Sequence, residues 1–420
     1  MKNTSSLYAR IRSHETGVYT ILCIGISYSV IFWTLLNSLL CIALFAWWLL
    51  FSEKQFDIST TKTRLMVLFA SLYFVSVAGM FYTSNSSEGW FRLQEKSAIL
   101  LFPLIFGTTS VLTTRILNKI LAHFTAATII ASIISLCYGF IQFLRTGRIE
   151  MLTYQRLVVF PDLYTYIIGI FCLISLSFLL YRWRGASKKT RILLGSAIIF
   201  LSLYIFLLSV RLTVVCWLLI ILYFVFKYET TARQRILTGI VLVLSLVVSF
   251  KTIPTLRKQW EELTNFSKSD TIILGEDDSL GRTWGGKAIR VAIWESSSKL
   301  AARHWLTGVG TGDVQDSLQQ SYEDDKFYFA SRYNRYNAHN QYLQLLIGNG
   351  VTGVLVFLLC LFVPVFLAKK YPFHPVYFVV LLLFCVISFS EVLLDVNKGV
   401  ILYSFFNSIF AFTNYKNPGT

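Results

Sequence analysis

His339 is the residue best suited by type and position to acid–base chemistry. It stands in Ala338-His339-Asn340, directly before an apolar run, where Asn340 is a plausible helix cap. An imidazole titrates near neutrality and can take a proton from a hydroxyl; a surface or internally hydrogen-bonded histidine would look the same in sequence. Upstream, GKAIRVAIWESSSKLAARHW predicts an amphipathic helix over about 285–303, with Arg290 and Trp294 four residues apart on one face. A guanidinium there can form paired bonds to phosphate oxygens, or can simply pack on the indole. Arg211 lies among apolar residues in LLSVRLTVVCW: a charge at membrane depth often marks a site, although an arginine at a helix end also snorkels. Arg156, before Phe160-Pro161, admits the same two readings. Tyr328, Tyr333, Tyr336 and Tyr342 surround His339 in sequence and offer aromatic faces suited to sugars or to a membrane interface. The run GVGTGD, with Gly308, Gly310 and Gly312, lacks the GK[ST] ending of a phosphate loop. Neither the five histidines nor the carboxylates show metal-ligand spacing, so neither a metal nor another cofactor is expected.

These residues need elements to hold them. The polar stretch 253–341 lies between segments of apolar sequence, and 55% of the chain is hydrophobic, more than a water-soluble fold of this size could bury. Runs such as 65–83, 121–144, 161–181 and 376–394 approach the roughly 20 residues of helix that cross a hydrocarbon core. In lipid such runs must be helical. The pattern predicts an all-α polytopic membrane protein of about twelve transmembrane helices with one large periplasmic loop containing short helices. Its parts are an N-terminal bundle of about nine helices over 1–252, a catalytic loop over 253–341 and about three helices over 342–420. Residues 85–96 read as a polar loop before a helix at 97–112. The basic start runs into an apolar segment without a clear cleavage site, so it reads as a retained helix. None of the seven cysteines lies in the long loop, which suggests neither a disulfide framework nor a thiolate metal site.

The net charge of +16 does not point to nucleic acid, because basic and acidic residues nearly balance in the long loop. The excess sits in short connections such as RWRGASKKTR, the bias that keeps loops on the cytoplasmic side. Both termini are therefore expected in the cytoplasm and the long loop outside. A loop so placed has no access to nucleotide sugars or ATP, so a transferase here would use a lipid-carried donor.

Taken together, Arg290-x3-Trp294, Gly308-Val309-Gly310 fourteen residues after the tryptophan, Ala338-His339-Asn340-x-Tyr342-Leu343 and Gly350-x2-Gly353 resemble the bacterial O-antigen ligase and polymerase superfamily. The motifs span roughly 285–356, and the hydrophobic layout extends the likeness over most of the chain. The resemblance implies a glycan donor linked to undecaprenyl diphosphate, an acceptor that is lipid A–core or a second glycan, and membrane lipids as surroundings. It further implies that His339 is the base, that Arg290 and Arg211 bind the diphosphate, and that Arg156 joins them. Trp294, Tyr336 and Tyr342 would then line the substrate site. Val210 stands between Ser209 and Arg211, and His304-Trp305 replaces the family's His-Pro. Ligase activity is the expectation; a polymerase, or a non-enzymatic exporter of lipid or polysaccharide, is the alternative.

Overall fold

In the computed structural model, which describes residues 14–228, 231–264 and 286–413, the chain is helical, with no strand among the described residues. In chain order the helices are α1 (Glu15–Phe32), α2 (Thr34–Phe51), α3 (Thr61–Ala78), α4 (Ser86–Thr108), α5 (Thr114–Thr146), α6 (Thr165–Trp183), α7 (Lys188–Leu208) and α8 (Arg211–Tyr228). They continue as α9 (Ala232–Thr252), α10 (Pro254–Thr264), α11 (Gly286–Arg303), α12 (Val314–Asp324), α13 (Gln341–Leu367), α14 (Pro375–Ile387) and α15 (Asn397–Phe412).

Among the described residues, nine helices are long and apolar enough to cross a membrane: α1–α3, α5–α9 and α13. This is a multi-pass membrane protein. The apolar side chains that face outward argue the same way. On α9, Ile236, Val241, Val243 and Val248 are all more than half exposed, a surface that only lipid would tolerate. Three more helices were expected to cross. Of these, α14 and α15 have 13 and 16 residues. The third, α4, begins at Ser86 and carries Glu88, Arg92, Glu95 and Lys96 in its first half.

The polar loop expected at 85–96 is thus helical, for two local reasons. Asn85 caps the helix, its Oδ1 accepting from Glu88 N at 3.1 Å. Arg92 then pairs with Glu88 at 2.8 Å and with Glu95 at 2.9 Å, spacings that support a helix. Part of the long loop, residues 265–285, lies outside the described residues.

The chain forms two compact units. One gathers Met1–Glu53, Val111–Glu261 and Phe373–Leu383; the other gathers Lys54–Ser110, Glu262–Pro372 and Phe384–Thr420. In the first, α6 is the central helix, buried from Ile167 to Leu179 and packed against α5, α7 and α8. In the second, α3, α4, α13 and α15 pack together, and α11 and α12 pack on α13. Ile293, Leu300, Leu318, Tyr322, Phe327 and Ile347 form the core beneath those polar-face helices.

Candidate active site

The second unit brings His339, Arg290 and Trp294 together. Asn340 caps α13, its Oδ1 accepting from Tyr342 N at 2.9 Å and Leu343 N at 3.1 Å. The residue before the cap, His339, has φ 44, a left-handed conformation that costs a residue with a Cβ about 1 kcal/mol or more. Two bonds hold it there. His339 N donates to Asn337 Oδ1 at 3.0 Å, and Trp294 Nε1 donates to His339 O at 3.3 Å. The four-residue spacing on α11 is therefore used in full: Trp294 grips the histidine backbone while Arg290 reaches a carboxylate.

That carboxylate is Glu391, just beyond α14. Its Oε1 lies 2.8 Å from Arg290 Nη2 and its Oε2 lies 3.9 Å from His339 Nδ1. One anion thus faces both a guanidinium, at hydrogen-bond distance, and an imidazole, at ion-pair distance. Only part of the Arg290 fork is committed, since its buried Nε makes no hydrogen bond to a described residue. The Tyr336 ring stands 5.4 Å from the imidazole. Burial lifts the Tyr336 phenol above its ordinary range, with Arg290 pulling weakly against it, so the hydroxyl remains a donor. Tyr342 is used differently. Its hydroxyl donates to Cys385 O at 2.8 Å and its ring lies tilted against Phe389, centroids 4.8 Å apart, fastening α13 to the end of α14.

Two glutamines stitch the histidine turn to the glutamate turn. Gln341 N donates to Ser388 O at 2.8 Å, and Leu394 N donates to Gln341 Oε1 at 2.7 Å. Gln344 Oε1 accepts from Ala338 N at 3.2 Å while its Nε2 donates to Asp395 Oδ2 at 2.7 Å. Asp395 in turn pairs with Lys96 at 3.0 Å. Burial raises the Asp395 carboxyl, but the Lys96 and Arg92 charges and the bonds from Lys96 and Gln344 outweigh it, holding it below the usual carboxylate range.

The glycine run is a seam between backbones. Val309 N and Gly310 N donate to Ile347 O and Gly348 O at 2.7 and 3.1 Å, and Val351 N donates to Trp305 O at 2.8 Å. Gly308 (φ 78) comes so near that a methyl on it would lie 2.5 Å from the Gly348 carbonyl. Gly350 (φ 63) interrupts the helical path of α13 and would drive a methyl into the Leu306 carbonyl. So Gly350 breaks a helix already begun at Gln341. Asp313 closes the seam, its carboxylate accepting from Ser84 N and Asn85 N at 2.6 and 2.7 Å.

Arg211 and Arg156 belong to the first unit. Arg211 is the first residue of α8, two residues after Ser209 at φ 53, and is half-buried. A cation at a helix N-terminus adds to the positive end of the helix dipole, a combination that favours an anion. Arg156 is exposed on a short 3₁₀ turn, Tyr154–Leu157. It lines a cavity of about 730 Å³ with Arg257 and Lys258.

Sequence reasoning gave Glu391 no part in this site. The one signal was a carboxylate close behind an apolar run, in FSEVLLD, a place where charge is expensive.

Residues 196–358 match the family model described as O-Antigen ligase. The match supports the likeness of that region to the O-antigen ligase and polymerase superfamily. The matched stretch contains Arg211, Arg290, Trp294, Tyr336, His339 and Tyr342, while Arg156 and Glu391 lie beyond it. No curated protein matches the chain.

Proposed function

We propose that this chain, whose residues 196–358 match the O-antigen ligase family model, is an O-antigen ligase. It transfers a glycan from undecaprenyl diphosphate to a sugar hydroxyl of lipid A–core at the periplasmic face of the inner membrane. Both termini then face the cytoplasm and the stretch 253–341 is periplasmic, the orientation favoured by the basic short loops. The observation that carries the reading is Glu391 set between Arg290, at 2.8 Å, and His339, at 3.9 Å. That cluster offers a base and an anion-binding group within one carboxylate's reach.

In this reading His339 Nε2 takes the proton of the acceptor hydroxyl as its oxygen attacks the anomeric carbon. The bond from that carbon to the diphosphate oxygen breaks, and the electron pair leaves with undecaprenyl diphosphate. Direct displacement inverts the anomeric centre. Glu391 steadies the imidazolium that forms. Arg290, through the part of its fork not held by Glu391, neutralises charge building on the leaving group. Arg211 and Arg156 keep the diphosphate-binding role implied by the resemblance; Trp294 and Tyr336 supply aromatic surface beside the histidine, and Tyr342 anchors the helix behind it. No step calls for a metal, and transfer is expected to persist in EDTA.

The test is reconstitution in proteoliposomes with a lipid-linked glycan and two acceptors, lipid A–core and a second lipid-linked repeat. Glycosylated lipid A–core is the expected product. Longer lipid-linked chains alone would make the protein a polymerase, and translocation without a new glycosidic bond would make it an exporter.

A further inference from the structure

We infer that the first unit carries a binding site for an anionic phospholipid, in the cavity where the start of α5 meets the end of α6 and the start of α7. The cavity measures about 700 Å³. Arg115 and Lys119, on the first turns of α5, and Arg182, on the last turn of α6, line it without any carboxylate among the lining residues. All three are exposed, and none is ion-paired with a described residue.

Two polar atoms behind these cations lack partners. Asn118 Oδ1 and Thr125 Oγ1 are buried without a hydrogen bond to a described residue, and both residues line the cavity. Thr125 is only 4% exposed. A helical threonine normally satisfies itself on the preceding turn, as Thr128 does by donating to Phe124 O at 2.9 Å. Thr125 does not, so its hydroxyl is free for a ligand oxygen.

The remaining wall is apolar, made by Phe178, Leu179 and Leu194. Three cations, a hydroxyl able to donate to a phosphate oxygen, an amide oxygen able to accept from a headgroup hydroxyl, and an apolar side describe a phosphodiester lipid better than a free ion. Basic pockets between transmembrane helices bind lipid headgroups in this way. On the orientation proposed above the site faces the cytoplasmic leaflet, although the site itself does not depend on the transferase reading.

The test uses the full-length protein in neutral detergent, titrated with phosphatidylglycerol, phosphatidylcholine or inorganic phosphate and read by native mass spectrometry. Phosphatidylglycerol is expected to stay bound through the delipidating step, and phosphatidylcholine is not. Arg115→Gln, Lys119→Gln and Arg182→Gln should each weaken retention about fivefold. Ala122→Trp, at an exposed lining position, should block it without removing charge. A control, Lys188→Gln with Lys189→Gln, lies on the same basic stretch outside the cavity lining and should retain the lipid. Equal retention of phosphatidylcholine would overturn the proposal. So would displacement by inorganic phosphate at matched concentration, which means a free-anion site, or equal loss in the control, which means unspecific charge attraction. Retention unchanged in Ala122→Trp and in the three glutamine variants would remove the site.

Discussion

Two polar regions treat charge in opposite ways. At the histidine end of the second unit the charges are paired: Arg290 with Glu391, Lys96 with Asp395, Arg92 with Glu88 and Glu95. Around the cavity of the first unit, Arg115, Lys119 and Arg182 meet no lining carboxylate. Pairing under partial burial fixes geometry, because removing one partner strands the other. Unpaired cations on an exposed rim fix little and leave their field for an incoming anion. One region is built to hold reacting groups still, the other to receive.

Substitutions can break or sharpen this contrast. The largest effect is expected at the base. His339→Ala should cut turnover by about 10²–10⁴-fold with donor binding retained, measured with saturating donor and acceptor; near-normal turnover would leave leaving-group stabilisation as the main chemistry. Lys96→Met comes next, since it strands Asp395. A cost of about 3 kcal/mol should appear as a melting temperature lower by several degrees in detergent, and an unshifted melt would mean that pairing there contributes no rigidity. Glu391→Gln keeps the shape and removes the charge shared by Arg290 and His339. Charged hydrogen bonds are worth about 1.5–3 kcal/mol, so turnover should fall about tenfold to a hundredfold while the melting temperature moves less than in Lys96→Met. Smallest is Arg182→Gln, which should change stability by no more than about 0.5 kcal/mol. A loss as large as that of Lys96→Met would erase the distinction between the regions.

Some of this was legible in the sequence because it is local. Apolar runs located the helices, and Arg290 with Trp294 at i, i+4 lie on one face of α11, as their shared grip on the Glu391 and His339 turns requires. Asn340 announced the start of α13. What stayed hidden was pairing across long separations. Glu391 meets residues 52 and 101 positions earlier in the chain (His339 and Arg290), and no local period reports such a meeting. The glycines of GVGTGD could be read as permissive, but not as one side of a seam whose other side is Gly348–Gly350. The start of α4 does not show in hydropathy, which is blind to a cap and to i, i+3 and i, i+4 ion pairs, which make a helix from polar residues.

The seam has a consequence for motion. Three backbone bonds tie residues 305–310 to the bend in α13, and Asp313 ties the same run to the turn before α4. Main chains that close leave no side-chain layer to slide, so this stretch travels with α13 as one body. Any opening that admits a large glycan beside His339 must therefore move this stretch and α13 together.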